Sequence, residues 1–212
     1  MAAKAVVPPP LHPGATRDVV RTRTGTTVLD AATPTVTLTR LQSGIGALVI
    51  GMLRPDGVGD LRLGCAYQLR TGQSSTVQNA GDQALVAGNP AVPVIVKGAG
   101  RDEQLSLDLR RCRDIDRLIV YAFSERDIEL CWGGVLVVST FGGARIELPL
   151  DAEPSRGVRV VLSLYRVGGE FVLRNEMETI DGQVRDACLA YGFDRITWID
   201  GRTTTNQQPS VR

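Results

Sequence analysis

The chain has 212 residues, 43% of them hydrophobic, and its 24 basic and 23 acidic side chains leave a net charge of +1. This length and composition are those of a globular protein, and we expect one large domain with tails. The balanced charge argues against a nucleic-acid-binding protein, because such proteins concentrate basic residues on one face. No secretory signal is visible and no apolar run approaches the ~20 residues of a membrane helix, so we expect a cytoplasmic protein without membrane insertion.

The two ends of the chain are expected to be tails. Residues 1–34 are rich in proline and threonine and can bury little apolar surface, which predicts a disordered segment. Within it, only Val28 and Leu29 suggest an edge strand. The polar stretch 201–212 predicts a second disordered tail, so the folded domain is expected over residues 35–200.

Between the tails, short apolar or alternating runs separated by Gly and Pro predict strands. They lie at 47–52, 60–69, 92–96, 104–109, 117–123, 134–140, 144–150, 158–166 and 170–177. Gly168–Gly169 predicts a tight hairpin between the last two strands. One helix is predicted over 182–191, with Asp181 as its N-cap and Gly192 as its stop. This pattern predicts an all-β fold, a two-sheet antiparallel β-sandwich with one or two short helices.

Three carboxylates stand at the starts of predicted strands. Asp102 and Glu103 form an acidic turn that leads into strand 104–109, and Asp60 begins strand 60–69. An acidic turn that leads into a half-buried strand indicates a cation-binding edge of a β protein, so Asp102 and Glu103 are candidates for such an edge. Arg62 is expected on the same strand face as Asp60, two residues further along.

A series of segments over residues 36–193 carries a family resemblance. In order, they are VTLTRL, ALVIGMLRPDGVGDLRLGCAYQL, GRDEQLSLDL, IDRLIVYAF, RIELPLD, VVLSLYRVGGEFVLRNEME and a helix reaching AYGFD. The chain resembles the TerD domain of tellurium-resistance and general stress-response proteins. The resemblance implies a β-sandwich and, as in many members, a calcium-binding domain that acts in bacterial stress responses.

The chain departs from the family at the calcium motif. Where the family has an acid after the first core strand, this chain reads Gly51-Met52-Leu53, and the family's acidic cluster is reduced to Asp60. The third acidic turn survives only ambiguously, as Gly81-Asp82-Gln83 or as Gly88-Asn89. The fourth retains Asp102 and Glu103, so the resemblance implies that Asp60, Asp102 and Glu103 are the remnant of a Ca²⁺ site.

We therefore expect Arg62 to stand where the ion would be, and to pair with Asp60 and with Asp102 or Glu103. A guanidinium repels a nearby divalent cation, and its fixed fork suits two carboxylates. Two alternatives remain open. These carboxylates are ordinary solvated turn acids, or they still form a working calcium site.

Other reactive residue types give little support for catalysis. The single histidine, His12, lies in the proline-rich tail, so no histidine base is expected in the folded domain. Lys97 is interpreted as an exposed lysine at a strand end. Cys65, Cys131 and Cys188 lie in apolar segments, where a free thiol behaves as a small hydrophobe. Trp132 is expected to pack in the core, and Trp198 either packs on the sandwich, which is favoured, or contacts a second subunit.

These observations favour a non-enzymatic interaction module of the TerD type, with weakened or lost calcium binding. Its expected partners are other proteins of a stress-response assembly, and it can self-associate. The first alternative is a calcium-dependent stress-response protein of the ordinary family type. The second is an enzyme that acts on small oxyanions or metabolites.

Overall fold

The computed structural model describes residues 25–53, 60–78, 94–98, 103–150 and 153–204. They form two six-stranded sheets. The first sheet contains, in spatial order, β1 (Gly25–Val28), β10 (Ala144–Pro149), β9 (Val135–Thr140), β3 (Ala47–Leu53), β7 (Gln104–Asp108) and β6 (Ile95–Lys97). The second contains β2 (Thr35–Thr37), β12 (Glu170–Ile180), β11 (Val158–Val167), β8 (Ile115–Ser124), β4 (Leu61–Leu69) and β5 (Ser74–Gln78). The predicted two-sheet β-sandwich is confirmed.

Strand pairing is antiparallel throughout the described sheets, except that β1 runs parallel to β10. The hairpin predicted at Gly168–Gly169 joins β11 to β12, and both glycines have positive φ, 59° and 88°. Glycine adopts positive φ at no steric cost because it has no Cβ, which is why this dipeptide forms the turn.

Apolar side chains form two layers, one on each face of the second sheet. The larger layer joins the two sheets, and the smaller one packs the outer face of the second sheet against a helix, α1 (Val184–Ala190), and the segment after it. Tyr121 and Val160 belong to this smaller layer, together with Cys188 and Phe193. Burial on both faces explains why β8 and β11 read as continuous apolar runs rather than alternating ones.

The folded part extends further at both ends than the domain predicted over 35–200. Residues 25–28, assigned above to the N-terminal tail, form β1, and Leu29 behind them is fully buried. At the other end Thr204 is buried and bridges to Trp198. The sequence pattern pointed to structure there only at Val28 and Leu29, because both segments are short and polar and their hydrophobic patterning is weak.

Two further differences concern local elements. β5 was not predicted because its sequence, SSTVQ, is polar, yet every residue of it is buried. The C-terminal segment covers it, with Arg202 O accepting a hydrogen bond from Gln78 Nε2. The helix begins later than predicted and its N-cap is Gln183 rather than Asp181, in a capping box with Asp186.

Within the described part of the chain, no helix combines the length and apolar character needed to cross a membrane.

Candidate ionic site between the two sheets

A buried ion pair joins β6 to the start of β7. Lys97 Nζ lies 2.7 Å from Glu103 Oε2, and the two side chains are only 1% and 2% exposed. The strand register explains the contact, because Lys97 pairs with Leu105 and Glu103 stands two residues before Leu105. The two side chains are therefore diagonal neighbours on one face of the sheet. The interpretation of Lys97 as an exposed strand-end lysine was wrong.

The Glu103 carboxylate also ties the two sheets together. Its Oε2 accepts a hydrogen bond of 2.7 Å from the backbone N–H of Leu63 in β4, a strand of the other sheet. The described part of β5 pairs with β4 as far as Gly64, and the Glu103 carboxylate bonds the next residue along β4. A strand-edge N–H that is buried needs an acceptor, and Glu103 supplies it.

Arg62 only partly follows its predicted pairing. Its Nη1 lies 3.5 Å from Glu103 Oε1, a long contact, while its Nε donates to Glu125 Oε2 at 3.1 Å. Arg62 therefore contacts one expected carboxylate, Glu103, and a second, Glu125, that was not expected. The predicted pair with Asp60 was wrong, and Asp102 lies outside the described residues.

Asp60 is held by the end of β8 and the loop after it. Its Oδ1 accepts a hydrogen bond from Ser124 Oγ at 2.7 Å, and its Oδ2 accepts bonds from Arg126 N and Nε at 2.8 and 3.2 Å. Burial acts to raise the pKa of Asp60, but the Ser124 and Arg126 bonds outweigh it and hold the pKa below the usual value. Asp60 is thus a structural acceptor that fixes the start of the β8–β9 connection.

We expect Asp60→Asn to destabilise the protein by about 2 kcal/mol at pH 7, since hydrogen bonds to a charged group carry that weight. The folded pKa lies below the unfolded one, so the carboxylate stabilises the protein above the unfolded pKa. That stabilisation is lost as the pH falls through the folded pKa. Urea unfolding of both proteins at pH 7 and pH 3 measures this, and a variant penalty that does not shrink in acid contradicts it.

The remaining candidate residues take simpler positions. Trp198 packs against the smaller apolar layer, as predicted, and Trp132 packs on the edge of the larger one. Burial raises the pKa of Cys65 to about 12 and also raises the pKa of Cys188, which leaves both thiols protonated at neutral pH. Cys131 is exposed, so its expected burial was wrong.

We call Asp60, Arg62, Lys97, Glu103, Glu125 and Arg126 the ionic site. Sequence reasoning missed three of these charged residues: Lys97, Glu125 and Arg126. A local signal for them does not exist, because the fold brings Lys97 to Glu103, Arg126 to Asp60 and Glu125 to Arg62 from distant parts of the sequence. In the segments whose structure is described, no three His, Cys, Asp or Glu side chains are grouped so as to hold a metal ion.

A scan against protein-family models gave no match to this chain, and no curated protein is significantly similar to it. Membership of the TerD family therefore stays a prediction that rests on the segments quoted above.

Proposed function

We propose that this chain is a cytoplasmic TerD-like stress-response module that binds proteins without catalysing a reaction, and whose former calcium edge is neutralised by its own cations. The observation that carries the proposal is the buried contact between Lys97 Nζ and Glu103 Oε2. An ammonium group there supplies the positive charge that a bound cation would supply to the same carboxylate. We retain the hypothesis that a side-chain cation stands in for the calcium ion, but we assign that role mainly to Lys97 and only secondarily to Arg62.

The donor set around these carboxylates does not suit calcium. Calcium takes six to eight oxygen ligands at about 2.3–2.6 Å. Glu103 instead receives an ammonium, a backbone N–H and a guanidinium, and Asp60 receives a hydroxyl, a backbone N–H and a guanidinium. Binding an ion there requires breaking these bonds and bringing a divalent cation close to two buried or half-buried positive groups.

The test is thermal unfolding of the full chain in chelator and across a calcium titration. We expect the same Tm throughout and no saturable isotherm in calorimetry. A working site at a calcium concentration of 100 times Kd would add about 2.7 kcal/mol, or roughly 5–10 °C for a chain of this size. An effect of that size would contradict the proposal.

Two variants decide what such an effect would mean. If calcium raises Tm and Asp102→Ala abolishes the rise, while the control Asp116→Ala at an exposed position of β8 does not, the calcium-dependent alternative replaces the proposal. The enzyme alternative requires that the chain convert a substrate and that Glu103→Gln abolish this activity. A screen with small oxyanions that detects such turnover would revive it.

Apolar side chains are exposed at the end of the sandwich away from the ionic site. Phe141, in the turn between β9 and β10, is 77% exposed, and Leu41 is 60% exposed in the segment before β3. The segments that carry them are neighbours, because Phe141 sits directly over Gly46 and Gly142 lies against Gln42. We call Leu41, Ile45 and Phe141 the apolar tip. Clustered exposed hydrophobics of this kind mark interaction surfaces.

The occupant we assign to the apolar tip is a second copy of this chain. The loop before β8 lies beside the tip, since Leu109 N–H donates to Gly46 O at 2.9 Å. That loop exposes both signs of charge, with Arg110 and Arg113 near Asp114. A surface with an apolar centre and mixed charges at its side can complement itself across a two-fold axis.

Sedimentation velocity over a concentration series tests this assignment. We expect a reversible dimer whose dissociation constant rises about tenfold or more in Phe141→Ser, because a large apolar side chain is removed from the contact. Ile199→Ser is the matched control, since Ile199 is also exposed, at 66%, but lies beyond the helix. A monomer at every concentration would exclude self-association through the tip, as would equal weakening by the control.

A further inference from the structure

A cavity of about 260 Å³ lies at the side of the sandwich where β1 and β10 face β12. The chain crosses from the first sheet to the second there, through Leu29 and Asp30, and these residues form one wall. Arg159 of β11 and Asn175 and Met177 of β12 line the rest, with Pro149 at the end of β10. At about 30 Å³ for each water, the volume matches roughly nine waters, the size of a small metabolite.

The guanidinium of Arg159 is buried here without a counter-charge. The residue is 7% exposed, yet no carboxylate forms an ion pair with it among the residues that the structure describes. Burial alone is the cause that lowers the pKa of Arg159 from its ordinary value. A buried charge is costly unless an opposite charge accompanies it, so an anion in the cavity would relieve this cost.

Three contacts fix the orientation of this guanidinium. Its Nε donates to Thr179 Oγ1 at 2.9 Å, its Nη2 donates to Ser155 Oγ at 3.1 Å, and its Cζ lies over the Trp132 ring, 4.6 Å from the ring centre. Within the described chain Nη1 makes no hydrogen bond. A guanidinium held on one edge and stacked on an aromatic ring is pre-organised to present its remaining N–H groups to a planar oxyanion.

The wall formed by the crossing segment carries a carboxylate, that of the exposed Asp30. Asp30 Oδ1 accepts hydrogen bonds from the backbone N–H groups of Ala32 and Thr33, which fixes the side chain on the cavity wall. Asp30 and Arg159, both in described segments, do not pair with each other. One end of the cavity therefore attracts an anion, and the wall at Asp30 attracts a hydrogen-bond donor or an ammonium group.

The backbone of β12 is irregular at the same place. Met177 has a positive φ of 45°, an uncommon conformation for a residue with a side chain. Between Asn175 and Glu178 the register with β11 shifts, so that β12 contains an extra residue. Asn175 Oδ1 is buried here and has no hydrogen-bond partner among the described residues. Bulges and backbone outliers of this kind concentrate where a strand re-aims its side chains at a binding site.

We propose that this cavity binds a small carboxylate that also carries a hydrogen-bond donor, the pattern of an amino acid or a hydroxy acid. The carboxylate lies against Arg159, and the amine or hydroxyl group faces Asp30. The inference does not rest on the proposed stress-response function or on the ionic site, and it stands or fails separately from the calcium test.

The test uses three probes with one carbon skeleton: L-2-aminobutyrate, L-2-hydroxybutyrate and butyrate. The chain has two tryptophans, and only Trp132 touches Arg159, so the two indole N–H resonances form an internal comparison in ¹⁵N NMR of the full wild-type chain. We expect a saturable shift of the Trp132 resonance with Trp198 unchanged. We also expect butyrate to bind about threefold or more weakly than at least one of the other two, because it lacks the group that faces Asp30.

Variants assign the two ends of the ligand. Arg159→Lys keeps the charge but removes the fork and is expected to weaken binding about tenfold or more, while Arg145→Lys, a change at an exposed side chain of β10, leaves binding unchanged. Asp30→Asn keeps the turn acceptor and is expected to remove the preference over butyrate. The proposal is overturned if no carboxylate shifts Trp132 at millimolar concentration, if inorganic phosphate alone does so, or if Arg159→Lys binds as the wild type does. If Arg159→Lys does not fold, the wild-type probe comparison still decides the question.

Discussion

Lys97→Met is expected to lower the free energy of unfolding by about 3–5 kcal/mol, the cost of leaving one member of a buried ion pair without its partner. The methionine fills similar space, so the loss reflects the Glu103 carboxylate, which keeps the Leu63 N–H but loses the ammonium 2.7 Å away. Denaturant unfolding at pH 7 measures the change. A loss below about 1 kcal/mol would mean that the pair behaves as an exposed one.

A double variant separates charge from packing in this experiment. Lys97→Met combined with Glu103→Leu removes both charges, and we expect it to recover most of the stability, since apolar replacements of buried pairs are often neutral or better. Arg145→Met is the surface control, because it breaks an exposed pair with Glu147 and should cost at most about 1 kcal/mol. If the double variant is as unstable as the single one, the loss comes from packing instead.

Gly64→Ala is expected to cost about 3 kcal/mol, at the upper end for overpacking. Gly64 in β4 stands directly opposite Tyr121 in β8, and an added Cβ would lie 2.6 Å from the tyrosine ring. The ring cannot easily withdraw, because Tyr121 is fully buried and its hydroxyl donates to Gln78 Oε1 at 2.7 Å. The fall in Tm and in the denaturation midpoint measures the effect.

The matched control for this variant is Gly51→Ala. Gly51 also lies within a strand, β3, but an added Cβ meets nothing within 4 Å. We expect no loss there, and a gain of about 0.4–1 kcal/mol from reduced freedom of the unfolded chain. Combining Gly64→Ala with Tyr121→Val should show a favourable coupling above about 1 kcal/mol, since the smaller residue leaves room for the methyl group. If the stability losses of the two single variants simply add in the double variant, the added methyl group does not clash with the Tyr121 ring.

Much of the fold could be predicted from sequence because its main signals are local. Short apolar runs between glycines and prolines indicated most of the strands, and Gly168–Gly169 indicated the hairpin that joins β11 to β12. β5 could not be found in this way. Its polar residues are buried only because the C-terminal segment, distant in sequence, covers them with Thr204 and Arg202.

Sequence could predict the acidic residue of the buried ion pair but not its basic partner. An acidic residue on a glycine-rich turn singled out Glu103, but the identity of its partner depends on the pairing of β6 with β7. A lysine at the end of a strand is usually exposed, so the general rule favoured the wrong environment for Lys97. Arg159 was missed for a related reason, because an arginine in an apolar run gives no sign that its guanidinium turns inward over Trp132.

The parallel pairing of β1 with β10 has a consequence for the order of events on the ribosome. β1 is among the first described residues to be synthesised, yet its hydrogen-bonding partner, Ala144–Pro149, emerges only after most of the sandwich has been made. Such distant pairing is slow to form because a long intervening segment must first be closed into a loop. Nascent chains are therefore expected to expose the threonine-rich segment until late in translation, and the cavity beside Asp30 is completed only after β11 and β12 have also been made.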